Sequence, residues 1–433
     1  MSNKTTCVIV GGGPAGMVAG LLLARAGVEV TVLEKHGDFL RDFRGDTVHP
    51  STLRLLDELG LYEQFAALPH TRLQRWGFDL PNGRSVSMVD FTRLSLPYRY
   101  IAMVPHWDLL DLLAEAGRLE PTFTLRMNHG VTGLLYDSGR VVGVRYDSPD
   151  GPGELRADLT IACDGRWSLC RREAGLIPRE YRVNVDVWWF RLPKAKGVAE
   201  TLLPRFKDGA LIAVIPRQDY LQIGYFIRKG ADAQLRARGV EALRHDIANA
   251  IPELWESVDG LESMDDVKLL DVRLNRLRRW HTAGLLCIGD AAHAMSPLGG
   301  VGINLAVQDA VAAATLLAAP LRAHHVTDTE LAAVHRRRAL PTAVTQTLQR
   351  LLHAVMERAM AGNRMPAPRK LLSVLARFPQ LSAVPAYLVG VGVRPEHAPT
   401  FARRTSPPGG RTGPRGHNLT RSAGRPQKSS GKD

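Results

Sequence analysis

The sequence predicts an α/β fold in which a helix-covered parallel sheet is interrupted by an antiparallel insertion. Three observations carry that expectation. A β-branched apolar run ends in a glycine turn and opens a helix within the first 35 residues. Strand-like runs separated by Pro-, Gly- and Asp-bearing turns fill 181–280, as an antiparallel sheet would. An apolar strand, LLCIGD, then returns and leads through a Gly/Pro loop into an Ala-rich helix. The expected division is the first part of the α/β domain (1–180), an inserted α+β domain (181–280), the second part of the first domain with C-terminal helices (281–395), and a disordered basic tail (396–433).

Each element follows from its pattern. Thr6–Val10 reads as a strand, Ala15–Ala26 as a helix and Val28–Leu33 as a second strand, which together make a βαβ unit. Pro50–Ala67 reads as a helix with Leu53, Leu56, Leu59 and Leu61 near one face. A further helix is expected around Trp107–Arg118, and a small meander between Gly130 and Asp164 that rejoins the main sheet. Within the insertion, a helix is expected at Val240–Ile251 and a strand near Val267–Leu274. The Ala-rich helix spans Asn304–Ala319, and helices continue to about Arg377. No repeat at solenoid periods is present.

Composition excludes several classes. Of 433 residues, 45% are apolar and 23% charged, as in ordinary globular proteins. Cys7, Cys163, Cys170 and Cys287 form no CxxC pair, which argues against a zinc ribbon or a redox dithiol and for reduced thiols. The glycine turn cuts the N-terminal apolar run, and Leu381–Val393 is too short and broken to span a bilayer, so a cytoplasmic protein is expected. The formal charge is +13, but from Glu396 onward eight Lys or Arg face two acidic residues. Nearly half of the excess thus lies in the tail, which suits weak contact with anionic surfaces and argues against specific nucleic-acid binding.

Gly11, Gly13 and Gly16 occupy the positions of GxGxxG, directly after a strand and opening a helix through Pro14 and Ala15. Gly11 permits the tight turn, Gly13 lets the backbone approach a pyrophosphate, and Gly16 allows close helix–strand contact. Glu34, followed by Lys35, ends the second strand where a carboxylate accepts from ribose hydroxyls. The fingerprint alone serves FAD and NAD equally well. Asp290, at the end of a strand, is suited to accept from a ligand hydroxyl, and the following glycine loop opens a helix whose N–H groups suit an anionic ligand edge.

Two further segments narrow the choice. DLTIACDGRWSLCRR, with Asp164 and Gly165, resembles the DG motif of the para-hydroxybenzoate hydroxylase-like flavoprotein monooxygenases. LLCIGDAAHAMSPLGGVGINLAVQDA resembles their GD motif, carrying Asp290, Pro297, Gly299, Gly300, Val301, Gly302, Ile303 and Asn304. RDFRGDTVHPSTLRLLDELGL is also similar to this family and makes Arg44 the candidate for the cofactor phosphates. Where the family often has Gln or Arg at a helix start beside the flavin side chain, this chain has His106. WWFRLP does not match the halogenase signature in spacing, and His293 is assigned only to the cofactor site.

The resemblance implies a Rossmann-like FAD-binding domain and FAD reduced by NADH or NADPH. It further implies that O2 adds at flavin C4a and that the resulting hydroperoxide passes one oxygen to an electron-rich substrate. The flavin-face loop is then Pro297 with Gly299–Gly302, no side chain is assigned as catalytic, and no metal is expected. Trp189, Phe190, Phe206, Tyr220, Tyr225 and Phe226 on the inserted sheet point to a hydrophobic, aromatic, polyketide-like or isoprenoid small molecule. Oligomeric state is left open. The rivals are a flavin reductase of the geranylgeranyl reductase type that does not use O2, and a binding protein with a vestigial flavin fold.

Overall fold

A computed structural model describes residues 3–40, 47–79, 85–194, 203–207, 210–217, 219–362 and 369–404. Five strands form the parallel core of the main sheet, in the order Leu285–Cys287, Gly151–Ala162, Lys4–Val10, Val30–Leu33 and Phe123–Arg126. Cys7–Val10 is buried throughout, as expected of a strand covered on both faces. The meander appears as Gly130–Asp137, Arg140–Ser148 and Gly151–Ala162, joined antiparallel. Helices Pro14–Arg25 and Val301–Arg322 pack together over the sheet, and Asp328–Gly362 lies beyond them.

The insertion is a sheet of Leu203–Lys207, Ala210–Pro216, Tyr220–Arg228, Val185–Pro193 and Lys268–Leu270 in that order, with helix Gly239–Ala250 against one side. Chain entry and exit share one ribbon, because Pro178–Tyr181 pairs antiparallel with Leu274–Leu277.

Several elements differ from their sequence reading. The Pro50–Ala67 helix is two, Pro50–Glu58 and Tyr62–Ala66. Gly60 takes φ +72° and the Gly60 and Leu61 amides close back on Asp57 and Leu56, a left-handed stop that ends the first helix. The Val267–Leu274 strand is also broken: Val272 gives its N–H to the Asp186 carboxylate rather than to a ladder, so pairing stops at Leu270 and resumes at Leu274. Two small sheets at 47–103 and helix Ala383–Gly390 were not foreseen. Helix Leu298–Arg322 is long and apolar enough to cross a membrane, but most of it is buried inside the fold, which is where its alanine and leucine content is used.

The stretch 396–404, read from composition as the start of the tail, is fixed on the body. Glu396 is buried and pairs with Arg337, His397 Nδ1 and the Ala398 amide bond Glu58, and Ala398 and Ala402 are buried. Composition missed this because the contacts are long-range, made by few residues. A chain ending at Arg404 is therefore expected to keep the thermal stability of the full chain. One ending at Pro395 should lose about 1–3 kcal/mol, because Arg338 loses one of its two carboxylates and the surface covered by Ala398 and Ala402 is exposed, as read by denaturant unfolding.

Candidate flavin and substrate site

Three turns that end strands of the main sheet meet at one place. The first is the glycine turn. Gly11 has φ +103°, and a Cβ there would stand 2.6 Å from the Cys163 carbonyl oxygen; one on Gly16 would stand 2.0 Å from the Gly11 oxygen. Gly13 faces open space instead. Helix Pro14–Arg25 has no side-chain cap and no acidic residue in its first turn, so its leading amides remain for an anion. Glu34 is held with its Oε2 accepting from Gly12 N–H at 2.9 Å and Oε1 accepting from His36 N–H.

The second turn carries Asp164 and Gly165. Asp164 Oδ2 caps Cys170 N–H at 3.1 Å, while Oδ1 is buried with no hydrogen-bond partner among the described residues. A buried carboxylate oxygen left this way calls for a donor, such as a ligand hydroxyl. Arg171 locks this turn to the third: its guanidinium donates to the carbonyls of Arg166 and Ala291.

The third turn carries Asp290, whose carboxylate lies 3.6 Å from Arg166 Nη2. The turn is held from behind by Asp309. That fully buried carboxylate accepts from Gly289 N–H at 3.2 Å, His293 Nε2 and Arg338 Nε at 2.9 Å. Burial alone would raise its pKa, but His293 and Arg338 outweigh burial and hold it below the usual range. His293 thus serves Asp309 and packs on Trp280; it does not line the cavity.

Gly299 and Gly300 both take left-handed φ, +79° and +63°, ahead of helix Val301–Arg322. Their carbonyls are held by the 47–49 segment: His49 Nε2 donates to Gly299 O at 3.1 Å and Thr47 Oγ1 to Gly300 O at 3.0 Å. The uncapped start of the helix, from Gly300 to Ile303, therefore faces inward.

Together these turns line a cavity of about 1140 Å3 that runs from Glu34 and Lys35 past Asp290 into an apolar chamber. Gly11, Gly13, Pro14, Ala15, His106, Asp164, Gly165 and Pro297 line it, as do Gly299, Gly300, Val301, Gly302 and Ile303. Gly16 and Asn304 stand behind the lining: Gly16 packs on Gly11, and the Asn304 Oδ1 accepts from Ser51 and Thr52 at 2.6 and 3.0 Å. Arg44 lies outside the described residues.

The chamber has three walls. Trp189, Leu211, Ile215 and Phe226 come from the inserted sheet, Trp76, Met88 and Met103 from the small sheets, and Leu348, Leu352 and Met356 from helix Asp328–Gly362. Phe190 and Tyr225 pack instead in the insertion's own core, and the Phe206 side chain lies outside the described residues. Arg217 brings a buried guanidinium to this wall, braced by Gln222 Oε1. Thr47, His49 and Arg217 were missed in the sequence, where only the neighbourhood of Arg44 drew attention to the first two.

The family described as an FAD binding domain matches residues 4–348. The chain belongs to this family. It is an FAD-dependent oxidoreductase of the flavoprotein monooxygenase class, and the glycine turn, Glu34, the unpartnered Asp164 oxygen and the glycine loop fit the dinucleotide. The 6-methylpretetramide 4-monooxygenase of Streptomyces rimosus is 35% identical over 387 residues, covering 86% of this chain and 92% of the relative. The digeranylgeranylglycerophospholipid reductase 1 of Methanopyrus kandleri is 27% identical over 316 residues, covering 69% and 76%. In fold, the chain is similar to the OxyS anhydrotetracycline hydroxylase from Streptomyces rimosus, with a TM-score of 0.69 at 24% identity, covering 89% of this chain and 76% of that one.

His49 gives this flavoenzyme a pH dependence. Burial pushes its pKa from near 6.5 down to about 4, against the opposing effect of its bond to Gly299. The unfolded chain then binds more protons than the folded one between those values, so His49 favours folding fully above pH 6.5 and progressively less as pH falls toward 4. The melting temperature should fall across that window, and His49→Gln should flatten the slope; thermal unfolding at stepped pH checks both.

Proposed function

We propose that this enzyme uses NADH or NADPH and O2 to insert one oxygen atom into a polycyclic aromatic polyketide. The balance is substrate, O2, NAD(P)H and a proton giving hydroxylated substrate, water and NAD(P)+. One observation carries the reading: the flavin cleft and a large apolar chamber are a single cavity, joined at the glycine loop 297–302. The relative at 35% identity, matched over nearly its whole length, is by name a monooxygenase of 6-methylpretetramide, which supports that substrate class.

FAD, when bound, supplies the redox and oxygen chemistry. Gly11, Gly13 and the helix start at Pro14 would hold its pyrophosphate, Glu34 its adenosine ribose, and Asp290 its ribityl chain. His106, Lys35 and Arg44 are assigned to the same cofactor side. The open amides at the helix start, those of Gly302 and Ile303, with the positive end of their helix, would favour negative charge on a bound flavin. The chamber walls exclude water, which strengthens these interactions and protects reactive oxygen from loss. Arg217 offers a positive charge to a phenolic or enolic oxygen and so fixes the substrate's orientation. With no second dinucleotide fingerprint in the chain, hydride delivery is assigned to the same cavity.

The test is oxygen uptake and NAD(P)H oxidation with 6-methylpretetramide and anhydrotetracycline, followed by product mass under labelled O2. Stimulated turnover and a gain of one labelled oxygen are expected. A reduced flavoprotein that consumes no O2 with either would favour the reductase class instead.

A further inference from the structure

The wall opposite the glycine turn contains a buried polar cluster that the cofactor assignments do not use. Gln349 and His353 sit one turn apart on helix Asp328–Gly362, and both reach Ser296, the residue just before Pro297. Gln349 reads the backbone at that point: its Oε1 accepts from Ser296 N–H at 3.2 Å, and its Nε2 donates to the Ser296 and Leu298 carbonyls, each at 2.9 Å. His353 Nε2 lies 2.7 Å from Ser296 Oγ, which also accepts from Leu298 N–H at 3.2 Å. Ser296 and His353 are each 2% exposed, and Ser296 lines the cavity whereas His353 stands behind it.

The hydrogen positions follow from what can be left unpaired. His353 Nδ1 is buried with no partner among the described residues. Burial lowers the His353 pKa to about 4, so at neutral pH the ring carries one proton. Were that proton on Nδ1, a buried N–H would be orphaned; on Nε2, only a lone pair is, which costs less. His353 Nε2–H therefore donates to Ser296 Oγ. With Leu298 N–H as the second donor, both Ser296 lone pairs are used, and its own O–H must point elsewhere. No acceptor for it occurs among the described residues, and the open direction is the cavity.

We propose that Ser296 is a substrate-binding donor beside the flavin-face loop, giving its O–H to a keto or phenolate oxygen of the substrate, with His353 as the positioning residue that aims it. The inference rests on the monooxygenase reading only for the identity of the acceptor. The same donor chemistry would suit a carbonyl of the flavin ring, so substrate and cofactor affinity must be read separately.

The experiment titrates 6-methylpretetramide into the flavin-loaded enzyme, following the flavin absorbance, and titrates FAD into flavin-depleted protein. For Ser296→Ala, 6-methylpretetramide binding should weaken about five- to tenfold, the loss of one such hydrogen bond, with FAD affinity unchanged. Ser296→Thr, which keeps the hydroxyl, should bind as wild type does. His353→Leu should match Ser296→Ala, because the freed hydroxyl turns away, and His353→Gln, which keeps an N–H donor, should recover part of the loss. Unchanged 6-methylpretetramide affinity in a flavin-loaded Ser296→Ala protein overturns the proposal, as does a loss confined to FAD. If the wild type inserts oxygen and Ser296→Ala binds normally, only this inference fails. If the wild type binds 6-methylpretetramide but inserts no oxygen, the monooxygenase reading fails and the donor assignment stands or falls on affinity alone.

Discussion

The Asp309 carboxylate is the constraint on which the cofactor site depends. An ionised group fully removed from water is costly unless it is hydrogen-bonded and paired with positive charge, and here three donors, from Gly289, His293 and Arg338, meet that demand. Each donor belongs to a different piece of the site. Gly289 begins the turn that presents Asp290, His293 ends it, and Arg338 comes from the long helix that forms a chamber wall. Arg338 in turn lies 3.6 Å from Glu396, so the last described segment closes the same network. Cofactor turn, chamber wall and C-terminal segment are thereby fixed relative to one another by one buried charge.

The same logic explains the placement of the glycines. Gly11 and Gly16 are required because a side chain would collide with backbone, and Gly299 and Gly300 because their φ is left-handed. Such requirements are local, so they leave a mark in the sequence. The GxGxxG turn, the acidic end of the second strand and the antiparallel character of the insertion could be read directly, and the DG and GD turns by their resemblance to a known family.

What could not be read is equally physical. The walls of the chamber come from residues some 250 positions apart, such as Met103 and Met356, and no local pattern announces that they face one space. Arg338 and Glu396 look in sequence like solvated charges on a helix and a tail, and only long-range pairing, of Arg338 with the motif residue Asp309 and of Glu396 with Arg338, makes them core. Gln349 and His353 recur at a spacing of four in an otherwise mixed helix, the one faint sign that a buried polar stripe reads another segment's backbone. Gly16 and Asn304 show the converse. Both belong to the motifs, yet they stand behind the lining instead of facing the cavity, Gly16 against Gly11 and Asn304 against Ser51 and Thr52.

The Asp309 network, though it touches no part of the cavity, should set the affinity for FAD. The direct measurement is FAD titration of flavin-depleted Asp309→Asn protein, with thermal unfolding to establish that the chain is folded at the assay temperature. Loosening of the Asp290 turn should weaken FAD binding by about ten- to a hundredfold, or about 1.4–2.8 kcal/mol. A folded Asp309→Asn protein that binds FAD as tightly as the wild type would contradict it.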